Sequence, residues 1–123
     1  MEKEFVPYDE SLALKELGFD KPCMRGWYKN LEIWYNPNSD IILDNPTFSQ
    51  AFRWFKEKYK LMSCITPCSD GEYIFTLYDL NKCDLEVFVE DIEIMESEDS
   101  YEFFEDIELD CLKKLIEIVT NKN

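Results

Sequence analysis

The residues with the clearest capacity for chemistry are carboxylates near the carboxyl end of the chain. Residues 84–110 contain 13 Asp and Glu side chains and neither Lys nor Arg. On a strand, every second side chain points the same way at intervals of about 6.6 Å, so Glu86 and Glu90 would begin a row of carboxylates. The loop and helix start that follow would continue this row. The predicted partner-binding residues are Glu86, Glu90, Asp91, Glu93, Glu96, Glu98, Asp99, Glu102, Glu105 and Asp106.

Two interpretations of this acidic segment, residues 84–110, are open. A continuous row of carboxylates has the sign and rough charge density of a nucleic acid backbone, so it could occupy a basic groove on a nucleic-acid-binding protein. Alternatively, the acids form a solvated outer face and a helix start whose negative charges match the helix dipole. The lack of any base within the segment counts against the second interpretation for the run as a whole, because a solvated face usually mixes charges of both signs, and it leaves both interpretations open.

A second candidate site lies on a predicted helix in the middle of the chain. Its bases and aromatic rings alternate, which is typical of proteins that bind single-stranded nucleic acid. The same pattern also fits an amphipathic helix that carries Lys on its outer face. The net charge of −14 opposes contact with phosphates, so we do not expect direct binding to nucleic acid. The residues of this alternative site are Arg53, Trp54, Lys56, Lys58 and Lys60.

The remaining residue types argue against catalysis. The chain has no histidine, which excludes His-based acid–base catalysis, nucleophile–His pairs and His-containing metal sites. Cys64 and Cys68 lack the second close pair that a zinc site needs. The three glycines lie too far apart for a phosphate-binding loop. We therefore expect no enzymatic activity, no catalytic residue, no cofactor and no metal.

The composition is that of one folded domain, residues 1–123. Hydrophobic residues make up 46% of the chain and aromatic residues 15%, which is enough apolar material for a core. The odd number of five cysteines predicts free thiols rather than a disulfide framework. There is no run of about 20 apolar residues, and Met1–Phe5 leads into no apolar segment. We therefore expect a cytoplasmic protein that does not interact with membranes.

Three helices are predicted from capping residues and apolar spacing. The first spans about residues 8–17. The second spans about residues 46–59, with Asn45 as its N-cap and Pro46 as its first helical residue. Ser100 is the predicted N-cap of the last helix. The apolar face of this last helix is predicted to consist of Phe104, Cys111, Leu112, Leu115, Ile116 and Val119.

Extended segments lie between these helices. Residues 22–44 contain two predicted strands, and Met62–Pro67 and Glu72–Asp79 form two more. Because Glu72–Asp79 is apolar on both faces, we expect a central strand there. Leu85–Val89 alternates as a half-exposed strand, and the change of parity after it indicates either a bulge or the end of the strand. The order α-β-β-α-β-β-β-α predicts an α+β fold, in which an antiparallel sheet of about four to five strands carries helices on one face.

Three stretches of the chain resemble a group of small proteins encoded in tailed phages and prophages. They are Phe5–Tyr8 (FVPY) with Ser11–Asp20 (SLALKELGFD), Pro46–Tyr59 (PTFSQAFRWFKEKY) and Glu108–Val119 (ELDCLKKLIEIV), which contain no catalytic motif. Together they cover roughly a third of the chain. The sequence departs most from the pattern of this group between residues 76 and 101, where acid is concentrated.

Small acidic phage proteins of this kind include inhibitors of bacterial defence. The resemblance and the acidic segment together imply an anti-CRISPR protein in the host bacterial cytoplasm. Its expected partner is a basic protein, namely the guide-RNA or target channel of a CRISPR effector nuclease such as an RNA-targeting type VI effector. Two alternatives are a nucleic-acid-binding phage accessory protein that uses helix 53–60, and a virion or host-takeover protein without enzymatic activity.

Overall fold

The computed structural model of the protein describes residues 4–21, 23, 25–28, 33–35, 41–82, 92–97 and 99–122. Within these residues, α-helices and β-strands follow the order α-β-β-β-α-β-β-β-α, which confirms the predicted α+β class. Each described helix lacks the length or the apolar character that a membrane span requires. The elements are α1 (Tyr8–Glu16), β1 (Arg25–Tyr28), β2 (Ile33–Tyr35), β3 (Ile41–Asn45), α2 (Phe48–Tyr59), β4 (Leu61–Pro67), β5 (Tyr73–Asp79), β6 (Glu93–Glu96) and α3 (Phe104–Lys122).

The described strands form two antiparallel sheets of three strands each, whereas the sequence predicted one sheet of four to five strands. In the first sheet β1 lies between β2 and β3, and in the second β5 lies between β4 and β6. The additional strand is β3, at the end of the segment predicted to be extended. The helices join the two sheets, because α1 contacts β3 while α3 contacts α1, α2, β4 and β5.

The central position of β5 confirms the prediction made from its two apolar faces. Its residues pair with β4 along the whole length of both strands. β6 pairs with the other edge of β5, but the register shifts between Leu77 and Tyr78, so Ile94 has no residue opposite. This shift lies within β6 and not at the change of parity between Val89 and Ile92, which falls largely outside the described residues, so the two alternatives given for that change both stay predictions. The predicted strand Leu85–Val89 lies outside the described residues.

The predicted start of α2 is wrong by two residues. The helix begins at Phe48, and its N-cap is Thr47 rather than Asn45. The Thr47 hydroxyl accepts a hydrogen bond from the Gln50 amide at 3.2 Å, while Gln50 Oε1 accepts one from the Thr47 amide at 3.0 Å. This reciprocal capping box satisfies two backbone amides that would otherwise have no partner. It also leaves the Asn45 side chain available for a different role.

Asn45 is a fully buried polar junction at the end of β3, with an exposed fraction of 0%. Its Oδ1 accepts a hydrogen bond from Nε of the buried Arg25 on β1. Its Nδ2 donates to the Val6 carbonyl at 2.6 Å and lies 3.2 Å from the Ser11 hydroxyl on α1. One amide side chain therefore connects the amino-terminal segment, α1 and β1, and leaves no buried polar atom of its own unpaired.

α3 contributes the largest share of fully buried side chains to the core. It begins at Phe104, and Ser100 does not cap it, since Ser100 Oγ instead donates to Glu72 Oε1 at 2.7 Å. Phe104 is 45% exposed, which corrects its predicted place in the apolar face, and Ile107 occupies that face with 0% exposure. The other buried residues of this face are Cys111, Leu112, Leu115 and Val119, as predicted.

Replacing Asn45 with Ala should destabilise the fold by about 3 kcal/mol, because the buried Arg25 side chain and the Val6 carbonyl each lose a partner. Urea unfolding followed by circular dichroism would measure the change. The matched control is Asn81→Ala, because the exposed Asn81 side chain donates to the Tyr59 carbonyl at 3.3 Å. It should cost less than about 1 kcal/mol. Equal effects of the two variants would contradict the role assigned to Asn45.

Candidate partner-binding surface

The structure describes six of the ten carboxylates predicted to bind a partner. Glu86, Glu90, Asp91 and Glu98 lie outside the described residues. The other six occupy β6, the connection that follows it and the first turn of α3. Five of the six are exposed and are called the acidic surface here, while Glu105 is half-buried. The acidic surface consists of Glu93, Glu96, Asp99, Glu102 and Asp106.

Hydrogen bonds hold the connection between β6 and α3 against β5. Tyr73 and Tyr101 exchange two backbone hydrogen bonds of 2.8 Å each. The Ser97 amide donates to the Phe75 carbonyl at 2.8 Å, and the Phe75 amide donates to Ser97 Oγ at 3.1 Å. The carboxylates of this connection therefore start from a fixed backbone, which reduces the entropy lost when a partner binds.

Cations of the described residues do not neutralise the acidic surface. None of its five carboxylates forms an ion pair with a Lys or Arg that the structure describes. A carboxylate farther along α3 differs in this respect, since Glu117 Oε2 lies 3.3 Å from Lys114 Nζ. Within the part of the chain that the structure describes, no ion pair offsets the negative charge of the acidic surface, which is the electrostatic feature expected of a site for a basic partner.

Two aromatic side chains emerge beside these acids, and the sequence prediction missed them as surface residues. Phe103 is 58% exposed and Phe104 is 45% exposed. The Phe104 ring makes one edge contact, with the Tyr73 ring centroid 5.5 Å away. Sequence spacing does not separate these two rings from core residues, because the adjacent pairs Trp54–Phe55 and Cys111–Leu112 are both buried.

A groove with an acidic lining lies between the starts of α2 and α3. One part has a volume of about 650 Å³, and an adjoining part has a volume of about 430 Å³. Phe48 and Glu105 line both parts. We call the two parts together the acidic groove. The remaining lining residues are Glu4, Thr47, Ser49, Phe104 and Glu108 in the first part, and Phe5, Pro7, Phe103, Asp106 and Leu109 in the second.

Burial, together with nearby acids, raises the pKa of Glu108. Partial burial raises the pKa of its carboxyl, and the negative charges of Glu105 and Glu4 raise it further. Nearby, burial raises the pKa of Tyr101 to about 12, with further contributions from its hydrogen bond to Asp110 and from the charges of Asp110 and Asp99. Both shifts have the sign expected where negative charge is concentrated. Sequence reasoning did not include Glu4 or Glu108 in the site.

The alternative basic site has exposed cations but a buried indole. Arg53, Lys56, Lys58 and Lys60 are exposed on α2. Trp54 is only 3% exposed, and its ring meets the rings of Phe19, Phe55 and Tyr59 edge-on at centroid distances of 5.1–5.4 Å. Lys58 Nζ lies 5.1 Å from the centroid of the Trp54 ring. The base-stacking role predicted for Trp54 would therefore require it to leave the core, and binding of nucleic acid by this helix stays a prediction.

The described cysteines are free thiols, as predicted. Burial raises the pKa of both Cys23 and Cys111 to about 12. The charge of Asp44 raises the pKa of Cys23 further, while at Cys111 a hydrogen bond with Ser63 lowers the pKa and the charge of Glu108 raises it. A thiol with such a pKa remains protonated at neutral pH and is a poor nucleophile. Among the described residues, no group of three or more Asp, Glu or Cys side chains is arranged to hold a metal ion.

This chain matches no protein-family model, no curated protein and no solved structure. The resemblance to small tailed-phage proteins therefore stays a prediction.

Replacing Glu108 with Gln should stabilise the protein at neutral pH by about 0.2–0.5 kcal/mol, the usual size of a like-charge effect three or four residues apart on a helix. The folded state holds the Glu108 proton more tightly than the unfolded state. Stability is therefore lost as pH rises from the unfolded pKa through the raised folded pKa. Thermal unfolding at neutral pH, and again below the unfolded pKa, should show a gain that disappears in acid.

The matched control is Glu117→Gln on the same helix. Glu117 is paired with Lys114 at 3.3 Å, so the same change should give no gain or a small loss. A similar gain from both variants would show that a reduction of net charge, rather than crowding at Glu108, is responsible.

The protein should not retard single-stranded RNA or DNA in a gel at low salt, because its net charge is −14 and Trp54 is buried. A retarded band that disappears in an Arg53→Ala, Lys56→Ala double variant would contradict this expectation. That outcome would identify α2 as a nucleic acid site.

Proposed function

We propose that this chain is a non-catalytic binding protein whose acidic surface occupies a basic, nucleic-acid-binding surface of a partner protein. One observation carries the proposal. Five exposed carboxylates, without ion pairs to any Lys or Arg among the described residues, lie on a segment that backbone hydrogen bonds tie to β5. A surface that only kept the protein in solution would have no need for this fixed backbone or for charges of a single sign.

The distribution of charge in the sequence supports the same proposal. Residues 84–123 hold 14 acids and three bases, a net charge of −11, while residues 1–83 hold 13 acids and ten bases, a net charge of −3. A concentration of negative charge of this kind attracts a positively charged partner and accelerates its association. It also repels nucleic acid, so the protein would compete with nucleic acid for a basic surface rather than bind the nucleic acid itself.

The class of partner follows from the resemblance to small tailed-phage proteins taken together with this charge. We propose an anti-CRISPR inhibitor that acts in the host bacterial cytoplasm on an RNA-guided nuclease. A guide-RNA or target channel of such an enzyme is a basic groove that holds a nucleic acid backbone. A row of carboxylates on a folded protein matches that groove in sign and rough charge density.

A charge-reversal experiment tests the proposal. The tagged protein should capture a nucleic-acid-binding protein from a bacterial lysate, and it should block the binding of labelled RNA by that purified partner. Changing Glu93, Glu96 and Asp99 to Lys should weaken the block by more than about tenfold, because the approaching charges then repel each other. Raising the salt concentration should also weaken the block, since exposed charges are screened.

The matched control reverses three exposed acids elsewhere, namely Glu16, Asp20 and Glu57. Each reversal adds two charge units, so both triple variants have a net charge of −8 instead of −14. The control should retain its inhibition. Equal inhibition by the two variants, each with an unchanged thermal unfolding midpoint, would refute binding through the acidic surface.

A further inference from the structure

We infer that the acidic groove binds an amphipathic basic segment of a partner protein, with the Phe103 and Phe104 rings as contacts for its apolar side chains and the surrounding carboxylates as contacts for its Lys or Arg residues. This inference rests on the proposed function, because both assign Asp106 to the contact. It adds an apolar component and a defined location to a contact that was so far electrostatic.

The exposure of the two rings is the first argument. Phe103 and Phe104 are the most exposed of the large hydrophobic side chains that the structure describes, at 58% and 45%. Removing such rings from water is favourable by about 25 cal/mol for each Å² of apolar surface. Exposed aromatic side chains that lie side by side on a monomer commonly mark a binding site, and aromatic residues dominate the energetics of protein interfaces.

The walls of the groove supply the second argument. Apolar side chains of three separate segments line its second part, namely Phe5 and Pro7, Phe48 from α2, and Leu109 from α3. The amino-terminal segment is fixed beside α2, because Phe5 and Thr47 form an antiparallel bridge and the Val6 amide donates to the Pro46 carbonyl at 2.9 Å. The backbone beside this part of the groove is therefore held in place, although the Phe5 and Phe48 rings are only 4% and 5% exposed, so most of the apolar contact area comes from Phe103 and Phe104.

The charge of the lining selects the occupant. Glu4, Glu105 and Glu108 line the first part of the groove, and Asp106 lines the second. The raised pKa of Glu108 is one consequence of this crowding, after partial burial. A Lys or Arg placed there would relieve the repulsion among the carboxylates. An acidic segment or a phosphate backbone would increase it.

A second copy of this chain fits the groove less well than a basic partner. Each copy has a net charge of −14, so two copies repel each other at long range. A basic amphipathic segment instead satisfies both features of the groove. It offers apolar side chains for the Phe rings and cations for the carboxylates, in the manner of a helix that docks in a groove.

A peptide titration tests the inference without knowledge of the natural partner. The probe is a synthetic peptide of Leu and Lys that forms an amphipathic helix of about four turns. We expect saturable binding with a dissociation constant on the order of 10 μM at about 0.15 M salt. Amide chemical shifts should change at Phe5, Phe48, Phe103 and Leu109. An equivalent peptide of Leu and Glu should not bind.

Substitutions separate the apolar and the charged contributions. Phe103→Ala should weaken binding of the Leu/Lys peptide by about tenfold, mainly through faster dissociation. Met62→Ala is the matched control, because Met62 is 37% exposed on β4, away from the groove, and its removal should leave affinity unchanged. Spectra of the free variants would show directly that each one remains folded.

Several results would overturn the inference. They are absence of saturable binding, equal binding of the Leu/Glu peptide, unchanged affinity of Phe103→Ala, or a stable dimer of the free protein formed through the groove. These results are distinct from failure of the proposed function. If charge reversal abolishes the block of RNA binding but Phe103→Ala does not, the proposed function is retained and binding through the groove is rejected. If the protein binds the peptide through Phe103 but does not block RNA binding by a partner, binding through the groove is retained and the proposed function is rejected.

Discussion

The buried amide of Asn45 is the interaction on which the arrangement of the groove depends. It joins Val6, Ser11 and Arg25, which belong to the amino-terminal segment, α1 and β1. Because the Val6 carbonyl is held in this way, the residues just before it are fixed beside the start of α2. One wall of the acidic groove is therefore positioned by a polar junction in the interior. The junction also keeps a buried cation hydrogen-bonded, which is a strict requirement in a low-dielectric core.

At the opposite wall, partial burial and the neighbouring carboxylates make ionisation of Glu108 unfavourable. Glu105 and Glu108 stand three residues apart on α3, and Glu4 approaches them from the amino-terminal segment. Farther along the same helix, Glu117 instead pairs with Lys114 at 3.3 Å. Binding sites commonly retain such locally unfavourable arrangements, because the unfavourable term is relieved when the partner arrives. Glu105 and Asp106 in the first turn of α3 also match the helix dipole, so the fold and the proposed contact each account for acids at this position.

The sequence alone predicts the helices and strands that a local residue pattern determines. The apolar spacing of α3 and the two apolar faces of β5 each predicted the observed element. Asn45 shows where local reasoning failed, since Asn followed by Pro has the form of a helix start whether or not its amide is needed elsewhere. In the folded protein the Asn45 side chain accepts a hydrogen bond from Arg25 and therefore does not cap α2. Glu4 was missed for a related reason, because it reaches Glu105 and Glu108 only through folding and is about a hundred residues away from them along the chain.

In the proposed contact, the aromatic pair and the acidic surface would make complementary contributions to binding. Exposed carboxylates act over about a Debye length, so they raise the rate of encounter but hold a partner weakly in salt. Apolar rings act only in contact, so they do not attract a partner but slow its departure. A protein that competes with nucleic acid for a basic surface needs both properties, because its rival is also a polyanion and charge alone gives no advantage over it. Phe103 and Phe104 supply what a nucleic acid backbone lacks, which is apolar surface presented beside the charge.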